Sequence, residues 1–327
     1  MRQRDLSDGG PSVSAIGYGA MVLTGLYGEV EEDHGVRLIR HALDRGINFI
    51  DTADAYGADG SNERLVGTAI KSRRNEVVLA TKVGIAPPGS EHAHRVKHSY
   101  LNEIWIDGRP ERVREAAEQS LAWLGVDAID LYYLHFPDPG RPIEETVGAM
   151  AELVQRGNVR HLGLSNVTGD ELRRAASVHP IAAVQAEYSL WTRGVERDLL
   201  PVARELGAAL VGWGPLGNGF LAGAGEIGTD DFRHNAPRFQ PENLRRNLDR
   251  FAPLRGVAEE IAVTPAQLAL AWLLHQGEDI IPIPGTRSIE HLESNIDATE
   301  IRLSQEVLDR IDQLAPAGLA AGEALLS

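Results

Sequence analysis

The chain has 327 residues, 43% of them hydrophobic and 24% charged, enough for a sizeable core in one large domain or two ordinary ones. Cysteine is absent, which excludes disulfides, a thiolate nucleophile and any Cys-ligated metal, and makes a reducing, cytoplasmic location the expectation. The formal charge of -15 argues against nucleic acid as a partner, which needs clustered cations, yet leaves room for an anionic cofactor in a locally basic site.

In chain order, residues 2–15 predict a hairpin with a turn at Asp8-Gly9-Gly10. The chain then alternates. A strand over 16–20 precedes an amphipathic helix over 31–45, with acids at its start and Arg45-Gly46 at its end. Strand 48–51 leads to helix 62–71, and strand 77–82 to an irregular stretch and helix 110–124. Strand 129–135 pairs with helix 143–155, strand 159–165 with helix 170–177, and strand 181–187 with helix 195–206. Strand 209–213 opens a long connection, and helix 265–274, strand 280–284, helix 289–298 and helix 305–314 complete the series. No apolar run approaches ~18 residues and the start lacks a signal-peptide core, so neither a membrane span nor secretion is expected.

About eight strand–helix units is the count of a (β/α)8 TIM barrel. A doubly wound sheet usually holds fewer strands and carries its glycine fingerprint near the start. No Pro/Gly/Ser linker divides the chain, so one barrel domain over 1–327 is expected. Two connections, 84–109 and 216–250, are long enough to overhang the C-terminal face as lids or substrate walls. Tyr100, Trp105, Phe220, Phe232 and Phe239 are their candidate lining, with packing on the barrel rim the alternative.

Barrel active sites lie where the strands end. Those exits carry Gly19, Asp51, Lys82, His135, Ser165-Asn166, Gln185, Trp213 and Gly285-Thr286, with Tyr56 just past the second strand in the stretch NFIDTADAYG, residues 48–57. An acid, an amine, an imidazole and an amide pair thus converge on one face. Each has an ordinary explanation: Asp51 capping a turn, Lys82 reaching for solvent, Tyr56 packing, and His135 as one of 11 histidines. All must hold together to dissolve the site.

The sequence resembles the aldo-keto reductases. The resemblance runs through DTADAYG (51–57), TK (81–82), DLYYLH (130–135), GLSN (163–166), QAEYS (185–189), GWGPLGNGFLAG (212–223) and IPIPGTRSIEHLESN (281–295). The pattern is most similar to the bacterial branch near pyridoxal reductases and potassium-channel β subunits. It implies a catalytic tetrad of Asp51, Tyr56, Lys82 and His135, reducing a small-molecule carbonyl, an aldehyde or ketone, with NADPH. Tyr56 would donate the proton, Lys82 lower its pKa, Asp51 keep Lys82 charged, and His135 orient the carbonyl oxygen.

For the cofactor, the resemblance implies Ser165, Asn166 and Gln185 at the carboxamide and Trp213 stacked on the nicotinamide. Gly19, Ala20, Met21 and Asp51 belong to the same implied set. The backbone of Gly214, Pro215, Leu216, Gly217 and Asn218 would approach the pyrophosphate. Gly285, Thr286 and Arg287 would start a helix as an anion site, with Arg287 on a 2′-phosphate and so NADPH favoured over NADH. His291 and Asn295 complete the adenosine end. Ser294 stands where relatives carry Glu, Phe136 where they often carry Arg, and Trp213-Gly214 where Tyr-Ser is commoner.

Two motifs are set aside. The run 212–217 fits G-x-G-x-x-G, but Pro215 and further glycines do not open a helix. His92, His94 and His98 lie in a charged loop without a ligand pattern, so no metal is expected. A cofactor-binding regulatory or redox-sensor subunit is the alternative function. A sugar-phosphate isomerase is a third reading. The oligomeric state stays open.

Overall fold

The computed structural model describes residues 1–7, 9–25, 28–98, 102–223 and 231–324, with residue 232 described through its backbone only. Strands β1 (Gln3–Asp5) and β2 (Ser12–Ser14) form the expected antiparallel hairpin, with Arg4 opposite Val13. Next come β3 (Tyr18–Gly19), helix α1 (Glu32–Asp44), β4 (Phe49–Asp51), α2 (Ser61–Ile70) and β5 (Val78–Val83). Strands β6 (Ile85–Ala86), β7 (His94–His98) and β8 (Asn102–Ile106) build a separate three-stranded antiparallel sheet. The alternation resumes with α3 (Pro110–Leu124), β9 (Ile129–Leu134), α4 (Ile143–Gln155), β10 (Val159–Ser165), α5 (Gly169–Ala176), β11 (Ile181–Glu187), α6 (Leu199–Glu205) and β12 (Ala209–Trp213). Helices α7 (Pro241–Phe251), α8 (Pro253–Glu260) and α9 (Pro265–Leu274) lead to β13 (Ile280–Pro282), α10 (Ile289–Asp297) and α11 (Gln305–Leu314).

Eight parallel strands lie side by side in the order β3, β4, β5, β9, β10, β11, β12, β13. The Gly17 N–H donates to Pro282 O at 2.9 Å, bringing the last strand back to the first, so the curled sheet has the course of a (β/α)8 barrel. Alternation along each strand divides two cores. Phe49, Ala80, Leu131, Tyr133, Ala183, Val211 and Ile281 pack together inside the sheet. Ile50, Leu79, Tyr132, Leu134, Val184 and Leu210 pack outward with the helices. Gly163 is a glycine for a steric reason: a Cβ there would stand 2.5 Å from the Tyr133 ring. Leu6 and Val13 of the hairpin join the inner cluster, and the Ala209 N–H donates to Leu6 O at 2.8 Å, so the hairpin is tied to the N-terminal end of the wall.

The structure departs from the sequence expectations in four places. The stretch 84–109, expected to be irregular, holds β6–β8, whose half-polar strands (HRVKH, NEIWI) carry no clean alternation. The connection 216–250 holds 3-10 turns and all but the last residue of α7, which starts with Pro241 in its first turn and places Leu244, Leu248 and Phe251 at helical spacing. Helix α6 starts at Leu199 rather than 195, because Gly194–Glu196 forms a 3-10 turn first. Thr286 and Arg287 do not start a helix. Ser288 is the N-cap, accepting from the His291 N–H at 3.3 Å, and α10 begins at Ile289.

Candidate active site

Asp51 is the last residue of β4, Lys82 the penultimate residue of β5, and His135 immediately follows β9. These positions share the inward parity of Phe49, Ala80 and Tyr133, so the strands deliver all three side chains to the inside of the sheet. Tyr56 arrives differently. After β4 the chain turns sharply: the Thr52 N–H donates to Ala80 O at 2.9 Å and the Tyr56 N–H to Ala53 O at 3.1 Å.

Lys82 Nζ is the hub. It donates to Asp51 Oδ1 at 2.5 Å, to Thr52 O at 2.9 Å and to Tyr56 Oη at 3.3 Å. The ammonium group's three N–H bonds therefore meet a carboxylate, a carbonyl and the phenol. Asp51 is fixed from its other side, where Gln185 Nε2 donates to Oδ2 at 2.7 Å. Lys82 is fully buried and Asp51 nearly so. Burial alone would pull the lysine down, but Asp51 and then Tyr56 outweigh it and hold the ammonium above its ordinary value. Burial also pushes the Asp51 carboxyl up, with Lys82 and Gln185 opposing.

For Tyr56 the balance differs from the sequence expectation. Burial raises its phenol above the ordinary tyrosine value, and Lys82 only partly offsets that rise. The phenol thus stays protonated at neutral pH, with an ammonium alongside to receive the charge of a phenolate. His135 stands edge-on to Tyr56, ring centroids 5.7 Å apart. Burial, then Lys82 and His98, hold its imidazole well below its usual value, so it is neutral. Its Nδ1 is buried and has no hydrogen-bond partner among the described residues. Phe136 stacks on it at 5.2 Å, and His98 of β7 meets Phe136 edge-on at 6.0 Å.

Of the remaining candidates, Ser165, Asn166, Gln185 and Trp213 adjoin this cluster. Ser165, at the end of β10, is buried, and Asn166 adopts φ 58°. Asn166 Nδ2 donates to His135 O at 3.0 Å, while its Oδ1 accepts from Trp213 Nε1 at 3.3 Å. Gln185 spends one N–H on Asp51, a link the sequence did not suggest. Gly214, Gly217, Asn218 and Gly219 take φ of 59°, 58°, 53° and 95°, so 214–219, with Pro215 and Leu216 inside it, is a turn that favours glycine. Arg233 Nη1 donates to Asn218 O at 2.8 Å and buttresses that turn, a contact sequence reading missed because it spans 15 positions.

Across the ring, Gly19 and Gly285 touch: a Cβ on Gly285 would stand 2.6 Å from Gly19 O. Ala20 is buried and its carbonyl accepts from Asn62 Nδ2 at 2.9 Å; Met21, half-buried, is the second residue of the 3-10 turn Ala20–Thr24. The Thr286 carbonyl accepts from Tyr18 Oη at 2.7 Å. Arg287 is exposed, its guanidinium 2.7 Å from where a Gly28 Cβ would be, and its carbonyl lies 2.8 Å from His34 Nε2. His291 is exposed, whereas Asn295 is buried.

The aromatic candidates in the long connections divide. Phe220 stacks on Trp191 at 4.1 Å and Phe239 meets the same indole edge-on at 5.1 Å, so both pack on the rim. Trp105 is half-buried on β8. Tyr100 and the side chain of Phe232 lie outside the described residues. His94, considered for a metal, instead pairs through Nδ1 with Asp138 at 2.7 Å, and Asp138 also accepts from the Gly108 N–H at 2.9 Å. This carboxylate ties the small sheet to the segment after β9.

Residues 15–316 match the model of the aldo/keto reductase family. The chain belongs to that family. It is 45% identical over 318 residues to a probable aldo-keto reductase 1 of Glycine max, covering 96% of this chain and 88% of the relative. Among solved structures it is similar to a glycerol dehydrogenase from Gluconobacter oxydans, at TM-score 0.83 and 32% identity over 95% of this chain and 94% of the other. It is also similar to an aldo/keto reductase from Klebsiella pneumoniae solved with NADP and acetate, at TM-score 0.75 and 28% identity over 100% of this chain and 99% of the other. Membership of this family makes the protein an oxidoreductase. Among the described residues no single helix is long and apolar enough to cross a membrane.

Proposed function

We propose that the protein reduces aldehydes or ketones to alcohols with NADPH, using Tyr56 as proton donor and Lys82, Asp51 and His135 in support. The observation that carries this reading is the hub at Lys82 Nζ, which joins a buried carboxylate to a phenol at the strand exits. When bound, the cofactor supplies the hydride, which no side chain can provide. As the carbonyl carbon accepts it, negative charge develops on oxygen and must be met by a proton. Tyr56 holds that proton at neutral pH because burial keeps its phenol above the usual value. Lys82 stabilises the phenolate left behind, and Asp51 stops burial from neutralising Lys82. Neutral His135 offers a hydrogen bond to the carbonyl oxygen without adding a charge that would compete with Lys82.

The residues present suit a dinucleotide. Asn166 is fixed beside Trp213, which supports a carboxamide contact and a stacking surface. The Gly-rich turn is open at Gly214, where a Cβ would meet nothing nearer than Glu187 Cγ at 3.7 Å, so a pyrophosphate could come close to the backbone. Exposed Arg287 would take a 2′-phosphate, which favours NADPH. The Klebsiella relatives crystallised with NADP and with NADPH support the same choice. The stacked pair His135–Phe136 gives the substrate side an aromatic wall without a cation, which suits uncharged carbonyls.

The test is fluorescence titration of the purified protein with NADPH, followed by nitrobenzaldehyde and a panel of aliphatic and sugar aldehydes. We expect binding and then loss of reduced cofactor matched by alcohol formed. Binding without consumption across the panel would favour the sensor reading, and no binding of either pyridine nucleotide would overturn the reductase.

A further inference from the structure

Behind the tetrad, on the helix side of the sheet, lies a second polar cluster that the reaction above does not use. Asp54 sits in the turn between Asp51 and Tyr56, and its N–H points to Lys82 O at 3.4 Å. Its side chain is 5% exposed; Oδ2 faces Arg112 Nη2 of α3 at 3.3 Å, and Oδ1 is buried without a hydrogen-bond partner among the described residues. Glu63 of α2 is fully buried and accepts from Thr81 Oγ1, next to Lys82, at 2.6 Å. Tyr132 of β9, opposite Thr81 in the sheet register, turns a buried phenol that has no hydrogen-bond partner among the described residues toward the same side.

Of these two buried carboxyls Asp54 has the Arg112 guanidinium, while Glu63 pairs with no cation among the described residues, since Lys82 is already committed to Asp51. A low-dielectric site does not carry the unmatched charge, so the cluster retains a proton. The groups facing Asp54 are Arg112 from α3, Glu63 from α2, Tyr132 from β9, Lys82 from β5, and Asp51 and Tyr56 from its own segment. Burial first, with Arg112 opposing and Glu63 adding, brings the Asp54 carboxyl up to about 7. Its negative charge in turn raises the Tyr56 phenol.

We propose that Asp54, gripped by Arg112, is a positioning residue for the proton donor, whose charge state sets how readily Tyr56 gives up its proton in reduction and recovers it in oxidation. The inference rests on the reductase reading. In reduction the O–H bond of Tyr56 breaks and its proton goes to the carbonyl oxygen, while the electron pair of the C=O π bond becomes the new O–H bond. Asp54 itself transfers nothing. An ionised Asp54 disfavours the phenolate, which slows reduction and leaves less phenolate to act as base in oxidation; a protonated Asp54 does the opposite.

The experiment is the pH profile of single-turnover reduction and oxidation in wild type, Asp54→Asn and Arg112→Gln, with carboxyl-carbon NMR titration of the cofactor-free proteins. In wild type, reduction should decline about three- to tenfold as pH rises through about 7. Asp54→Asn should flatten that inflection and speed oxidation above it, and the carboxyl resonance titrating near neutrality should vanish. Arg112→Gln, which removes the cation that opposes burial, should move both the inflection and the resonance to higher pH. An active wild type whose inflection persists in Asp54→Asn would overturn the proposal, as would Asp54 titrating in the ordinary carboxylate range. A wild type that turns over no carbonyl would defeat the reductase reading instead, and the NMR titration would still decide the state of Asp54.

Discussion

At the scale of single residues, competition between burial and charge decides what each group of the cluster can do. Lys82 shows a near neighbour winning: Asp51 at 2.5 Å keeps the ammonium charged despite full burial. Tyr56 shows the opposite, because an ammonium at 3.3 Å does not overcome desolvation of the phenolate. An acid that must hold its proton until hydride arrives benefits from that outcome. Arg287 is a simpler case, an exposed cation with its guanidinium beside Gly28. In the proposed reaction Arg287→Ala should raise the KM for NADPH about tenfold or more while barely changing that for NADH, since a charge-assisted contact to phosphate is lost with only one of them. Steady-state kinetics with both nucleotides checks this, and equal shifts would mean that Arg287 does not read the 2′-phosphate.

At the scale of elements, what could be read from the sequence follows how each element is buried. The barrel strands, covered by helices outside and packed within, are near-continuous apolar runs such as VVLATKV and IDLYYLH, so they stood out. Their exits then gathered Asp51, Lys82 and His135 on one face from the sequence alone. Strands β7 and β8 did not stand out, because a small, largely exposed sheet beside the segment after β9 mixes polar and apolar residues along each strand. Helix α7 was lost among charges, although Pro241 and the spacing of Leu244, Leu248 and Phe251 marked it. Contacts between distant positions were beyond one-dimensional reading. The Asp54–Arg112 pair spans 58 positions, and it exists only because α3 packs beside α2 and against β5. The Gln185–Asp51 bond spans 134 and needs two strands to face each other inside the sheet. The carbonyl of Thr52, a partner of Lys82, leaves no trace in side-chain chemistry.

At the scale of the whole molecule, the two ends of the barrel have different tasks. The strand exits gather buried charge, which costs stability, while the hairpin end supplies apolar closure through Leu6 and Val13. Arg4 reinforces that end by donating to the Leu274 carbonyl at 2.7 Å and to those of Gly277 and Ile280, fastening the hairpin to the segment between α9 and β13. Leu6→Ala should therefore cost about 2–5 kcal/mol of unfolding free energy in urea and leave NADPH affinity unchanged. A loss of affinity on the same scale would show that the ends are coupled.

The proposal that a phenol, and not the neighbouring carboxylate, delivers the proton is tested most directly by Tyr56→Phe in a single turnover. The NADPH-loaded variant is mixed with nitrobenzaldehyde and the reduced cofactor is followed by absorbance. The account predicts NADPH affinity close to wild type and a consumption rate lower by about 10²–10⁴-fold, the usual worth of a positioned general acid. Consumption at the wild-type rate would contradict it.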